Sequence, residues 1–378
     1  MNIFLIALAV IGGLFIIILL VNARRIARIR YLPDQNNLEF QIAQLGKTLS
    51  GQCGNAGVII GVIRHGRTYV DSCGDADSGH LPQKQTIFEV PALAGLFTDV
   101  CLQALADRGE LGLEDNIRNY LPAEVSLALQ VKNTTLLHLA THTSGFPFLP
   151  EELRENIKDR AQPYANIEQK DIWNYLSRCS EKSRPGNFRN SDFGIALLAR
   201  LLEEKTGCPF SQLIQKELCG PLNLKHTTVQ LPEQDKELLI QGHGPTGENA
   251  NYWNCGALYG AGAVYTSMED ILAFLEANLR LGNSVLSQTL RRTHRKYAAG
   301  YSTLGWKTSQ EYEKLFKLKN LLWIGGRTAG FSAYMAIDVQ QDIAAAVFTA
   351  ASVPLERYGA YLMHILSHTS FHRKGTDR

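Results

Sequence analysis

Strand-like segments lie near both ends of this chain and helical ones between them, an order that few folds satisfy. Gly57 to Arg64 and Thr68 to Cys73 are rich in Val, Ile, Thr and Tyr, and they meet at His65-Gly66-Arg67, a short hairpin signal. Strand character returns at Phe331 to Ile337 and Ile343 to Ala350. Between these pairs, Leu96 to Arg108, Asp192 to Thr206 and Met268 to Leu281 space their apolar residues as helices do. An amphipathic helix over Glu39 to Leu49 precedes the hairpin, and another over Leu355 to Leu366 follows the last strand. The order predicts one sheet completed by distant parts of the chain, with a helical region inserted.

With 378 residues, core volume is not limiting, and one large domain carrying an insertion fits the strand order better than separate modules. Charged residues make up 20%, apolar ones 45%, and the formal net charge is +2. Such a balance lacks the basic surplus of a nucleic-acid binder, so no DNA or RNA partner is expected. No tandem repeat or low-complexity tract is visible. The cysteines (Cys53, Cys73, Cys101, Cys179, Cys208, Cys219 and Cys255) are dispersed, without a C-x-x-C pair or a His-rich cluster, which predicts mostly buried thiols, no metal and no cofactor.

Ile3 to Val21 is an unbroken run of apolar residues and glycine. At about 1.5 Å per helical residue it just crosses a hydrocarbon core of roughly 30 Å, so it reads as a single membrane helix. A cleaved signal peptide is the competing reading, supported by small Ala23 but opposed by the lack of Lys or Arg ahead of the run. The organisation expected is an anchor over 1–23, a linker over 24–38, a main domain over 39–368 and a polar tail over 369–378. Within the main domain, the sheet region takes about 39–90 and 295–368 and the helical region about 91–294. Arg24, Arg25, Arg28 and Arg30 follow the helix and favour a main domain on the cytoplasmic side.

Several strings resemble the serine beta-lactamase and penicillin-binding superfamily, in its branch of class C beta-lactamases, D-aminopeptidases and D-alanyl-D-alanine carboxypeptidases. They are Leu136-Leu-His-Leu-Ala-Thr-His-Thr-Ser-Gly145, Arg184-Pro-Gly186, Pro221-Leu-Asn-Leu-Lys-His-Thr-Thr228, Gly260-Ala-Gly-Ala-Val-Tyr-Thr-Ser-Met-Glu-Asp270 and Ala329-Gly-Phe-Ser-Ala333, and they follow the family's order. The resemblance implies an α/β plus α fold: a mixed sheet flanked by helices, an all-helical subdomain, and a cleft where the two meet. It also implies an extracytoplasmic domain, against the arginines.

Family chemistry needs a serine at the start of a buried helix and a lysine one turn later to help remove its proton, because an unassisted hydroxyl is a poor nucleophile. The resemblance places Ala92 at the nucleophile and Gly95 at the lysine. A second motif, Tyr-x-Asn, falls on Asn190-Ser191-Asp192, where an amide cannot exchange protons as a phenol does. The third, Lys-Thr-Gly or His-x-Gly, falls on Ile324-Gly-Gly326, and isoleucine can only pack. Ala92, Gly95, Asn190, Asp192 and Ile324 therefore all depart from the pattern, and no Ser-x-x-Lys occurs elsewhere.

Displaced copies read as decoys. Tyr164-Ala-Asn166 and Tyr252-Trp-Asn254 match by letters alone, and Lys205-Thr-Gly207 fits a helix end. His142 and Ser144 belong to a turn, and Ser191 reads as local support. Residual cleft binding is assigned to Ala92, Ser191, Asp192, Gly326 and Arg327, with the Ala92 and Arg327 backbone N–H groups as a surviving oxyanion hole and an Asp192–Arg327 ion pair across the cleft. The function expected is a membrane-anchored pseudoenzyme that binds a peptide-like ligand or a protein partner in a membrane complex. The alternative is a serine-type hydrolase using displaced groups, such as Ser191 with His142.

Overall fold

The computed structural model describes residues 37–76, 80–179, 185–280, 282–297, 303–308 and 315–369. The expected anchor over Ile3 to Val21 and nearly all of the tail lie outside the described residues. Among those described, no helix is long and apolar enough to cross a membrane.

The hairpin forms as read, from β1 (Val58–Arg64) and β2 (Arg67–Cys73). His65 and Gly66 both take positive φ, 47° and 73°, the requirement of a two-residue turn whose twist matches its strands. Three short segments follow: β3 (Ile87–Val90), β4 (Val264–Ser267) and β5 (Lys307–Thr308). The end of the chain supplies β6 (Leu322–Arg327), β7 (Ser332–Asp338) and β8 (Ile343–Thr349). These assemble into an antiparallel sheet in the order β2-β1-β8-β7-β6-β5, so the first hairpin joins the last three strands through β1 and β8.

β1 is apolar at nearly every position because both of its faces are covered. Val58, Ile60 and Val62 enter one core, and Ile59 and Ile63 enter the other. The first core is closed by helices α1 (Leu38–Gln52) and, at the far end of the chain, α5 (Glu356–His368). The second is closed by α4 (Met268–Leu279), with α2 (Leu93–Asp107) and α3 (Asp192–Thr206) in the helical region beyond. Gly61 lets α4 approach: a Cβ there would stand 2.4 Å from the Met268 sulfur. Burial of each such Leu, Ile, Val or Phe is worth roughly 1.5–3 kcal/mol, and α2 is buried almost all round, from Leu93 to Leu105.

Two expectations need correction. β3 and β4 form a separate two-stranded antiparallel sheet, so β4 interrupts the span assigned to the helical region. Strands of four residues pairing across most of the chain leave no periodicity to read. The cysteines are all free, but Cys53, Cys73, Cys208 and Cys255 are half-buried and only Cys101, Cys179 and Cys219 fully so.

Candidate functional site: a cleft with altered catalytic motifs

β3 runs straight into α2 through Pro91 and Ala92. Ala92 stands at the N-cap with φ 64° and ψ −10°, a left-handed conformation that costs an L-residue with a Cβ roughly 1–2 kcal/mol. Its methyl offers the helix no cap hydrogen bond. One turn on, Gly95 leaves room that Ile195 of α3 occupies: a Cβ on Gly95 would meet the Ile195 side chain at 3.3 Å.

From the sheet side, β6 brings Ile324-Gly-Gly326 against this helix start. A Cβ on Gly326 would lie 3.3 Å from the Cβ atoms of both Ala92 and Pro91, so glycine there permits the close approach. Ile324 is 5% exposed and packs into the core. The N-terminus of α3 forms the third wall. Ala92, Gly95, Asn190, Asp192, Ile324, Gly326 and Arg327 thus line one cleft of about 450 Å³, as the three motifs require.

Ser191 does not line it. Its hydroxyl is fully buried, donates to the Pro147 carbonyl at 2.7 Å and accepts from the Gly194 N–H at 2.9 Å, the arrangement of an N-cap. His142 lines the cleft, but its Nδ1 accepts the Ser191 backbone N–H at 3.1 Å rather than the hydroxyl proton. Burial, aided by the Lys307 charge, lowers its pKa to about 4, so the ring is neutral at physiological pH. The displaced pair of Ser191 with His142 is not assembled. Ser144 is likewise buried, and its hydroxyl accepts from the Phe146 N–H at 3.3 Å.

Asp192 and Arg327 make no ion pair, contrary to the charge pattern. The Asp192 carboxylate instead accepts a hydrogen bond of 2.7 Å from the Tyr164 hydroxyl. Burial raises its pKa to about 6, opposed by that bond and by the Lys307 charge. Arg327 is at the exposed end of β6, without an ion-pair partner among the described residues, as strand alternation allowed.

Tyr164 and Trp253 belong to the two strings dismissed as chance matches, yet both line the cleft, with ring centroids 5.3 Å apart. Nothing local in Tyr164-Ala-Asn166 announces this; the loops converge only in the fold. Asp99 and Lys307 were also missed. Asp99 lies one turn beyond Gly95 on the same face of α2, so helical spacing could have found it. Burial holds its carboxyl well above the usual range. Lys307 reaches the cleft from β5, a strand of two residues, and its ammonium lies 5.2 Å above the Trp323 ring. Desolvation lowers its pKa, with Asp192 and Glu356 opposing. Lys205-Thr206-Gly207 ends α3 as read, Gly207 being left-handed with its N–H on Glu203.

Among the described residues, the cleft contains neither Ser nor Cys, and no group of three or more His, Cys, Asp or Glu is arranged to hold a metal. Its hydroxyls are Tyr164, committed to Asp192, and Thr303, which donates to the Trp306 carbonyl at 2.8 Å.

A family model described as Beta-lactamase matches residues 42–368. The chain belongs to the beta-lactamase family. The D-alanyl-D-alanine-carboxypeptidase/endopeptidase AmpH of Escherichia coli (strain K12) is 28% identical over 327 residues, covering 81% of this chain and 82% of that protein. A beta-lactamase of Yersinia enterocolitica is 27% identical over 275 residues, covering 67% and 65%. Among solved structures, a beta-lactamase/D-alanine carboxypeptidase from Pseudomonas syringae superposes with a TM-score of 0.76 at 24% identity, over 88% of this chain and 99% of that one. This beta-lactamase family member has the expected sheet flanked by helices and a cleft, but its six-stranded sheet is antiparallel throughout rather than mixed.

Proposed function

We propose that this beta-lactamase-like protein is a pseudoenzyme: it retains the binding cleft of its family, performs no acyl transfer, and is held at a membrane by Ile3 to Val21. One observation carries the reading. Ala92 holds a strained left-handed backbone at the helix start while presenting a methyl group where the family mechanism needs a hydroxyl. Its relatives bear the names of enzymes, and the resemblance puts departures from the catalytic motifs at Ala92, Gly95, Asn190, Asp192 and Ile324.

Tyr164 brings a phenol to the cleft, and it is the group that could best serve displaced acid-base chemistry. Burial and the neighbouring Asp192 carboxylate raise its pKa far above that of free tyrosine, so it stays protonated and makes a poor base. It also has no nucleophile to activate, since Ser191 faces away. A bound ligand or membrane partner is the output that remains.

A labelled penicillin and a fluorophosphonate probe test this directly. No covalent adduct is expected on the full-length protein under native conditions. An adduct lost in Ser191→Ala or Thr303→Ala, with the fold preserved, would establish displaced hydrolase chemistry instead.

A further inference from the structure

The altered motif positions share a chemical direction. A hydroxyl gives way to the methyl of Ala92, the space for a lysine tail is taken by Ile195, and a cationic or imidazole position holds Ile324. The side chains of Ala92, Ile195 and Ile324 offer a peptide amide no hydrogen bond, so each amide left unpaired against them would cost roughly 1–3 kcal/mol. Hydrocarbon loses nothing there. The mouth continues the trend, because Phe148 and Phe188 are 45% and 46% exposed on its rim, and exposed aromatics beside an apolar recess mark an interaction site.

Charge then restricts the ligand. Asp192, on the helical side, offsets the charge of Lys307 across the same cleft, so no unbalanced cation waits for an anionic group deep inside. Arg327 is the opposite case: exposed at the end of β6, lining the cleft, and free of any carboxylate partner among the described residues. Arg154 also lines the cleft but is engaged by Glu151 at 2.9 Å.

Resting on the reading of this cleft as a non-catalytic binding site, we infer that its ligand is a single-chain anionic amphiphile. A hydrocarbon chain lies along Ala92, Ile195 and Ile324, and a carboxylate head sits outside against Arg327. The cleft of about 450 Å³ lies within the range of roughly 300–1,000 Å³ usual for small-molecule sites. The Phe148 and Phe188 rings would close over the chain where it leaves the recess.

The test uses the full-length protein in lipid nanodiscs with a photoreactive diazirine derivative of hexadecanoic acid, crosslinked peptides being mapped by mass spectrometry. Expected are crosslinks to the peptides carrying Phe148, Phe188 or Ile324, competed by unlabelled hexadecanoate and abolished by Ala92→Trp, which fills the recess. Arg327→Ala should reduce them about threefold to fivefold, the worth of one exposed charge contact, and leave labelling by the matching diazirine alcohol unchanged. Crosslinks confined to residues 1–36 would mean membrane partition alone and overturn the inference. Competition by acetyl-lysyl-D-alanyl-D-alanine but not by hexadecanoate would overturn it in favour of a peptide ligand. Either result leaves the pseudoenzyme reading standing, which fails only if a covalent probe labels the protein.

Discussion

The Tyr164 hydroxyl donates a 2.7 Å hydrogen bond to the Asp192 carboxylate, joining a loop to the first residue of α3 across the floor of the cleft. In the family's pattern an amide-bearing asparagine stands where Asp192 does. The replacement inverts the polarity of that point, and the phenol supplies the donor that a buried carboxylate needs.

The pair has a pH signature. Burial raises the folded-state pKa of Asp192 from 3.8 to about 6, so the folded protein binds this proton more tightly than the unfolded chain does. Its contribution to stability is therefore fully present below pH 3.8 and is lost as pH rises to about 6. Asp192→Asn keeps an acceptor for Tyr164 and removes the charge. It is expected to be more stable than wild type at pH 8 by on the order of 2–3 kcal/mol, with the gap closing towards pH 4. Urea unfolding at the two pH values measures this, and parallel pH dependence in both proteins would show that the carboxylate is not desolvated.

Ala92→Gly should stabilise. Glycine adopts φ 64° without the Cβ penalty, while the more flexible unfolded chain takes back part of the gain, leaving about 0.5–1 kcal/mol. A lower midpoint in chemical denaturation would mean that the methyl contact with β6 outweighs the backbone strain.

Ser191→Ala removes an N-cap and leaves the Pro147 carbonyl buried without its donor. Destabilisation of about 1–3 kcal/mol is expected, with no change in reactivity towards covalent probes. Retained stability would contradict the capping role.

Restoring Ser and Lys together, as Ala92→Ser with Gly95→Lys, should give negligible turnover of a chromogenic beta-lactam. The tyrosine and the third-motif cation would still be absent, and the new side chain at position 95 would press on Ile195, which a Cβ already meets at 3.3 Å. A loss of stability should accompany the inactivity. Turnover above that of wild type would show that the first motif suffices.

Much of the fold was legible in the chain because local patterns carried it. His65-Gly66 specified the hairpin, Asp192 to Thr206 was read to its observed ends, and the apolar run of β1 announced a strand covered on both faces. The altered positions Ala92, Gly95, Asn190, Asp192 and Ile324 could be placed because the strings around them kept their order, and the fold gathers all five into one cleft. Tyr164, Trp253 and Lys307 could not be placed. Each sits on a loop or a two-residue strand without periodicity, and reaches the cleft only when distant segments pack. Side-chain direction was equally beyond the sequence. Asp192 and Arg327 looked like partners as two opposite charges on adjoining motifs, but β6 leaves Arg327 exposed while α3 turns Asp192 towards a phenol. The sequence by itself determined which residue types stand at the motif positions, because identity at a position is a local fact. What surrounds those positions was decided by the tertiary structure, because burial, pKa and hydrogen-bond partners depend on groups far apart in the chain.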